Sequence, residues 1–178
     1  YFSKFDEAAA LGVVQAFGEE LTKKRGVTLD SFLFDDGWDD TSRLWQFSKD
    51  FPSGFELLRD ATAKIGAAPG VWLSPWGGYG PPREARLATA RAAGFEVDEQ
   101  GLALSGPRYF ALFHDTTVNL LRRYGINQFK LDGTGSADKV TPDSEFDSDF
   151  AAAIALIGDL RAIRPDLFIN LTTGTWPS

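Results

Sequence analysis

Four short apolar runs, each giving way to a loop of acids, glycines or aromatic residues, alternate with amphipathic stretches of helical period. The runs are Val27 to Phe34, Gly70 to Trp76, Ile126 to Leu131 and Leu167 to Leu171. Before and between them the spacing predicts helices over 6–25, 53–65, 83–93, 108–124 and 148–163, several closed by a glycine such as Gly26, Gly94 or Gly125. Ser53-Gly54-Phe55-Glu56 has the pattern of a capping box opening the second of these. Strands separated by helices imply right-handed crossovers and therefore a parallel sheet. Doubly wound sheets and (β/α)₈ barrels both satisfy that order. A whole barrel takes roughly 250 residues and eight strands, so on the barrel reading this chain of 178 residues is about half of one, within a single domain.

Parallel α/β proteins keep their chemistry at the C-terminal ends of the strands, and the residues that collect there are specific. Gln128-Phe129-Lys130-Leu131-Asp132 runs straight into Gly133-Thr134-Gly135. Side chains two apart in a strand share a face, so Lys130 and Asp132 point the same way. Taken alone, that pair fits a buried ion pair or a loop acid after a core strand as readily as a site. A second acidic strand end, Leu33-Phe34-Asp35-Asp36-Gly37-Trp38, has the same design. The other two ends supply Ser74 and Trp76, then Thr172, Thr173 and Trp176. Carboxylates, a lysine and tryptophans around one mouth suit a sugar, whose hydroxyls take directed hydrogen bonds and whose C–H faces stack on aromatic rings. Trp45 and Trp72 read as core packing, whereas Trp38 and Trp76, each beside glycine in a loop, are candidate ligand contacts.

Composition excludes several alternatives. A net charge of −7 with no local run of lysine or arginine gives no footprint for nucleic acid. No apolar run reaches the ~20 residues of a membrane span, and no signal peptide opens the sequence. With no cysteine there are no thiolate sites, and the compartment stays open, secretion and the periplasm included. The single histidine, His114, reads as a surface or packing residue, so no histidine metal cluster is expected. Gly133-Thr134-Gly135 lacks the third glycine of a dinucleotide fingerprint. No cofactor and no metal are expected.

Phe34-Asp35-Asp36-Gly37-Trp38, Gly70-Val71-Trp72-Leu73-Ser74-Pro75 and Tyr124 to Asp132 resemble the strand-2, strand-3 and strand-4 signatures of α-galactosidase-type glycoside hydrolases, families 36 and 27. They occur in the right order, and Arg164-Pro165-Asp166-Leu167-Phe168-Ile169 is similar to the entry into strand 5. The resemblance covers essentially the whole chain. It implies a partial (β/α)₈ barrel, about strands 2 to 5, of a retaining, melibiase-like α-glycosidase. Asp132 would be the nucleophile, Lys130 a donor to a sugar hydroxyl, and Asp35 and Asp36 the acceptors for the O4 and O6 hydroxyls. Trp38, Trp76, Thr173 and Trp176 complete the expected substrate contacts.

Two departures accompany the resemblance. Strand 5 ends in Thr172-Thr173-Gly174-Thr175-Trp176 where the family usually carries a cysteine motif, which keeps open another α-linked sugar such as N-acetylgalactosamine. The family's acid/base lies on strand 6, which the chain does not reach. The isolated chain is therefore expected to be inactive, with the remainder of the barrel or a second copy as its partner. A carbohydrate-binding protein on a degenerate barrel is the rival from another class.

Overall fold

The computed structural model describes residues 5–133 and 139–172. Its centre is a four-stranded parallel sheet of β1 (Ser31–Phe34), β4 (Ala68–Leu73), β5 (Gln128–Asp132) and β6 (Phe168–Thr172), adjacent in that order. Two further strands, β2 (Asp39–Asp40) and β3 (Gln46–Phe47), form a small antiparallel hairpin in the loop after β1. The helices are α1 (Glu7–Phe17), α2 (Glu56–Ala63), α3 (Gly80–Ala93), α4 (Pro107–Tyr124) and α5 (Asp149–Ile163). All four expected strands and all five expected helices are present. The first strand is shorter than its apolar run, and the first helix changes character at Gly18–Lys23, which is a π-helical segment.

Local chemistry explains most of the boundaries. Asp6 and Ser148 cap α1 and α5 by accepting the N–H groups of Ala9 at 2.8 Å and Ala151 at 3.0 Å. Gly94 and Gly125 end α3 and α4 in the left-handed conformation that glycine adopts without penalty. The capping box at Ser53 does not form. Ser53 N–H donates to Glu7 Oε2 at 3.1 Å instead, and Glu56 accepts from Arg123 at 2.7 Å.

Register divides the sheet into two unlike faces. Phe34, Val71, Phe129 and Ile169 share one row, and Leu73, Leu131 and Leu171 the next. The face carries the helices: Phe32 packs edge-on against Phe17, and Phe34 lies beside Phe55 at the start of α2. Val71, Leu73, Phe129 and Leu131 are fully buried there, each side chain worth about 1.5–3 kcal/mol of burial. The opposite face is polar towards the C-terminal ends, with Trp72, Lys130 and Asn170 in one row and Asp132 opposite Thr172 in the last.

The outer strands β1 and β6 have no second neighbour among the described residues, so the sheet is not closed into a barrel. Phe168 on β6 is 59% exposed. No helix among the described residues is long and apolar enough to cross a membrane.

Candidate active site

Asp132 is the last residue of β5, and both of its oxygens are engaged. Oδ1 accepts from Thr172 Oγ1 at 2.6 Å, from the Gly133 N–H at 2.9 Å and from Tyr79 Oη at 3.2 Å. Oδ2 accepts from the Trp72 indole N–H at 3.0 Å and lies 3.8 Å from Lys130 Nζ. Its side chain is 16% exposed. Burial works against ionisation, but the hydrogen bonds from Thr172 and Trp72, the Lys130 charge and the Gly133 N–H outweigh it and hold the carboxyl below the usual aspartate range. The group is an ionised, well-oriented carboxylate at the open end of a parallel strand.

Lys130 joins it to the next acid. Its Nζ donates to Asp35 Oδ2 at 2.9 Å, across the intervening strand β4. Asp35 directly follows β1, and its other oxygen accepts the Asp36 N–H at 2.8 Å. Asp35, Lys130 and Asp132 thus form one continuous charged row.

Asp36 turns away from that row. Its Oδ1 accepts from Arg86 Nη2 at 2.8 Å, and Arg86 binds Asp39 through Nη2 at 2.6 Å and Nε at 3.0 Å. The Arg86 side chain is fully buried; its Nη1 donates to the Gly77 carbonyl, and its guanidinium lies over the rings of Trp45 at 4.8 Å and Trp72 at 5.2 Å. Burial opposes its charge, but the Asp39 and Asp36 carboxylates more than restore it. Burial pushes the Asp39 carboxyl up despite the same contact. This knot fixes the loop after β1 to the helix after β4.

The tryptophans exchange the roles their settings suggest. Trp38 has no exposed surface; its ring packs on Phe47 and Phe55, and its indole N–H donates to the Trp72 carbonyl at 2.9 Å. It is a core residue rather than a ligand contact, because the hairpin β2–β3 folds over it. Trp72, which the sequence pattern assigns to packing, contacts the Asp132 carboxylate directly. Trp76 is almost fully buried beside the site, near Gly133. Thr173 and Trp176 lie outside the described residues. Sequence reasoning did not find Tyr79, Arg86 or Asp39. The glycines flanking Tyr79 in Gly77-Gly78-Tyr79-Gly80 were the available signal for the first; an arginine in a helix carries none for burial.

His114 lies near Asp159 and Asp115, at 3.5 and 3.6 Å, on the helical layer. No cluster of three or more histidine, aspartate or glutamate side chains that could hold a metal occurs among the described residues. An open cavity of about 470 Å³ lies elsewhere, between Arg43, Phe47, Lys49 and Tyr124.

Fold and site together define a segment of a (β/α)₈ barrel with a charged row at its C-terminal strand ends. Solved structures match that architecture. The α-galactosidase of Lactobacillus brevis aligns with 95% of this chain at a TM-score of 0.66 and 16% identity, using 25% of its own length. A GH36 α-galactosidase from Geobacillus stearothermophilus, in complex with raffinose, aligns with 96% at a TM-score of 0.63 and 17% identity, over 26% of its length. The Thermus thermophilus α-galactosidase, in complex with p-nitrophenyl α-D-galactopyranoside, aligns with 98% at 0.63 and 16% identity, over 36% of its length. The chain thus resembles GH36 α-galactosidases in fold and spans between a quarter and about a third of their length. No protein-family model and no curated protein matches the sequence.

Proposed function

We propose that this chain carries the nucleophile side of a retaining α-glycosidase site, and that the intact protein hydrolyses terminal α-galactosides. The observation that carries the reading is the ionised Asp132, held by Trp72, Thr172 and Lys130 at the end of a strand in an α-galactosidase-like fold. Retaining hydrolysis needs an ionised carboxylate beneath the anomeric carbon and a protonated carboxyl group on the leaving-group side, about 5 Å away. In this reading Asp132 attacks the anomeric carbon and forms a glycosyl ester, which water then opens. Lys130 and Asp35 bind sugar hydroxyls, Asp36 braces the loop that carries Asp35 through its bond to Arg86, and Thr173 and Trp176 are further contacts.

The second carboxyl group is assigned to a residue outside those described. Residues 1–178 then constitute one partial catalytic-barrel domain, completed across the β1 and β6 edges by the remainder of a barrel or by a second copy. General acid catalysis contributes roughly 10² to 10⁴, so the chain alone is expected to be inactive. The test is turnover of an aryl α-galactoside by the intact protein, with the product anomer followed by NMR. Retention of the α-anomer, and its abolition in a folded Asp132→Asn variant, is the expected result. Unchanged turnover in that variant moves the nucleophile elsewhere. Galactoside binding without turnover in the wild type makes the protein a binder.

A further inference from the structure

Tyr79 stands at an unusual place for a surface tyrosine. It is 55% exposed, yet its hydroxyl is 3.2 Å from Asp132 Oδ1, 53 residues away in the chain. The loop that brings it there is built for the purpose. Gly77, Gly78 and Gly80 have φ of +103°, +85° and +57°, where a side chain is strained. A Cβ at Gly78 would also come within 3.0 Å of the Trp72 ring and of Arg86 Nη1, so the loop lies directly against the Trp72 ring whose N–H holds Oδ2.

The two oxygens of Asp132 are unequally occupied. Among the described residues, Oδ1 accepts three hydrogen bonds, from Thr172, Gly133 and Tyr79, whereas Oδ2 accepts one, from Trp72, with Lys130 Nζ at 3.8 Å. A carboxylate oxygen offers two lone-pair sites. Towards the described residues Oδ1 is therefore saturated and Oδ2 retains an open one. We infer that Tyr79 belongs to the catalytic site: its hydroxyl helps to commit Oδ1, leaving Oδ2 as the attacking oxygen, and its exposed ring forms an aromatic wall for the sugar.

This assignment rests on the α-glycosidase reading. The bond from Oδ2 to the anomeric carbon forms as the bond to the leaving oxygen breaks. The released electron pair stays on that oxygen, which takes its proton from a carboxyl acid, and Oδ1 becomes the ester carbonyl. Tyr79 keeps its own proton throughout, since burial and the negative charge of Asp132 both push its ionisation up. When water opens the ester, its proton passes to the conjugate carboxylate and the electron pair of the cleaved bond returns to Asp132. The Tyr79 hydroxyl regains a full charge to bind.

The test compares Tyr79→Phe, which removes only the hydroxyl, with Tyr79→Ala, which removes the wall as well. Asp132 is titrated by ¹³C NMR of labelled aspartate Cγ, its signal assigned by loss in Asp132→Asn. Among the described residues, the charged or titratable groups in contact with it are Lys130 on the same strand and Tyr79; Asp35 follows β1 and binds Lys130. Removing a donor from the charged form raises a carboxyl pKa, so Tyr79→Phe should move Asp132 upward by about half to one unit. Tyr79→Ala should match that shift and also raise KM for an aryl α-galactoside by roughly 2- to 10-fold over Tyr79→Phe, the worth of one stacking contact. An unmoved Asp132 titration overturns the role of the hydroxyl, and equal KM values in the two variants overturn the wall. A wild-type protein that neither binds nor cleaves α-galactosides, yet shows the titration shift, overturns the sugar reading and the wall with it while upholding the hold on Oδ1.

Discussion

Trp72 donates its indole N–H to Asp132 Oδ2 at 3.0 Å, one row below it on the polar face of the sheet. The same residue accepts the Trp38 N–H on its carbonyl and presents its ring to the Arg86 guanidinium. A single side chain thus links the hydrophobic core, the buried ion knot and the carboxylate. Trp72→Phe keeps an aromatic ring and deletes one donor. A hydrogen bond to a charged group contributes about 1.5–3 kcal/mol, so kcat/KM on an aryl α-galactoside should fall roughly 10- to 100-fold. Thermal unfolding should shift far less than activity. Equal losses in both would mean that the ring, not the N–H, matters.

The Arg86 knot makes a separate prediction about stability. Breaking a buried ion pair by removing one partner costs about 3–5 kcal/mol, because the other charge is stranded. Arg86→Met should therefore destabilise the protein by that order in urea titration, with Asp39 left buried and driven to protonate. Adding Asp39→Asn to Arg86→Met should cost less than the sum of the two single losses. Strict additivity would show that Arg86 and Asp39 do not act as a pair.

Much of this was legible in the sequence, for identifiable reasons. Strand and helix order follows from apolar period and glycine stops, both of which are local signals. The row Asp35–Lys130–Asp132 was legible because strand parity and a shared strand end place its members together before any coordinates exist. The tryptophans were harder. Indole is apolar over most of its surface, so pattern cannot distinguish Trp38, buried under a hairpin, from Trp72, whose one polar atom meets a carboxylate. Arg86 was hidden by the opposite prejudice. Arginine in Arg83-Glu84-Ala85-Arg86 reads as a solvated helix face, and only the fold brings Asp36, Asp39 and two aromatic rings around it.

The lowered Asp132 pKa has a stability consequence whose sign is fixed. The folded protein binds that proton less readily than the unfolded chain, so ionised Asp132 favours the fold at neutral pH. This contribution is present above the ordinary value of 3.8 and is lost as pH falls through it towards the depressed value. The stability difference between wild type and Asp132→Asn should accordingly shrink below about pH 4. Denaturant unfolding of both proteins between pH 3 and pH 7 measures it, and a difference that grows on acidification would contradict the assignment.

Gly133 provides the sharpest separation of backbone from side-chain effects. Its φ is +112°, and a Cβ there would stand 2.9 Å from Ser74 Oγ, which is fully buried. Its N–H is also one of the donors to Asp132 Oδ1. Gly133→Ala combines a strained backbone, worth about 1–3 kcal/mol, with a clash, and should lower both stability and kcat/KM. Ser74→Ala opens the space without touching the dihedral. The double variant should recover the steric part of the stability loss while activity stays low, because relieving φ strain would still rotate the N–H away from Oδ1. Full recovery of activity would show that the Gly133 N–H does not position the carboxylate.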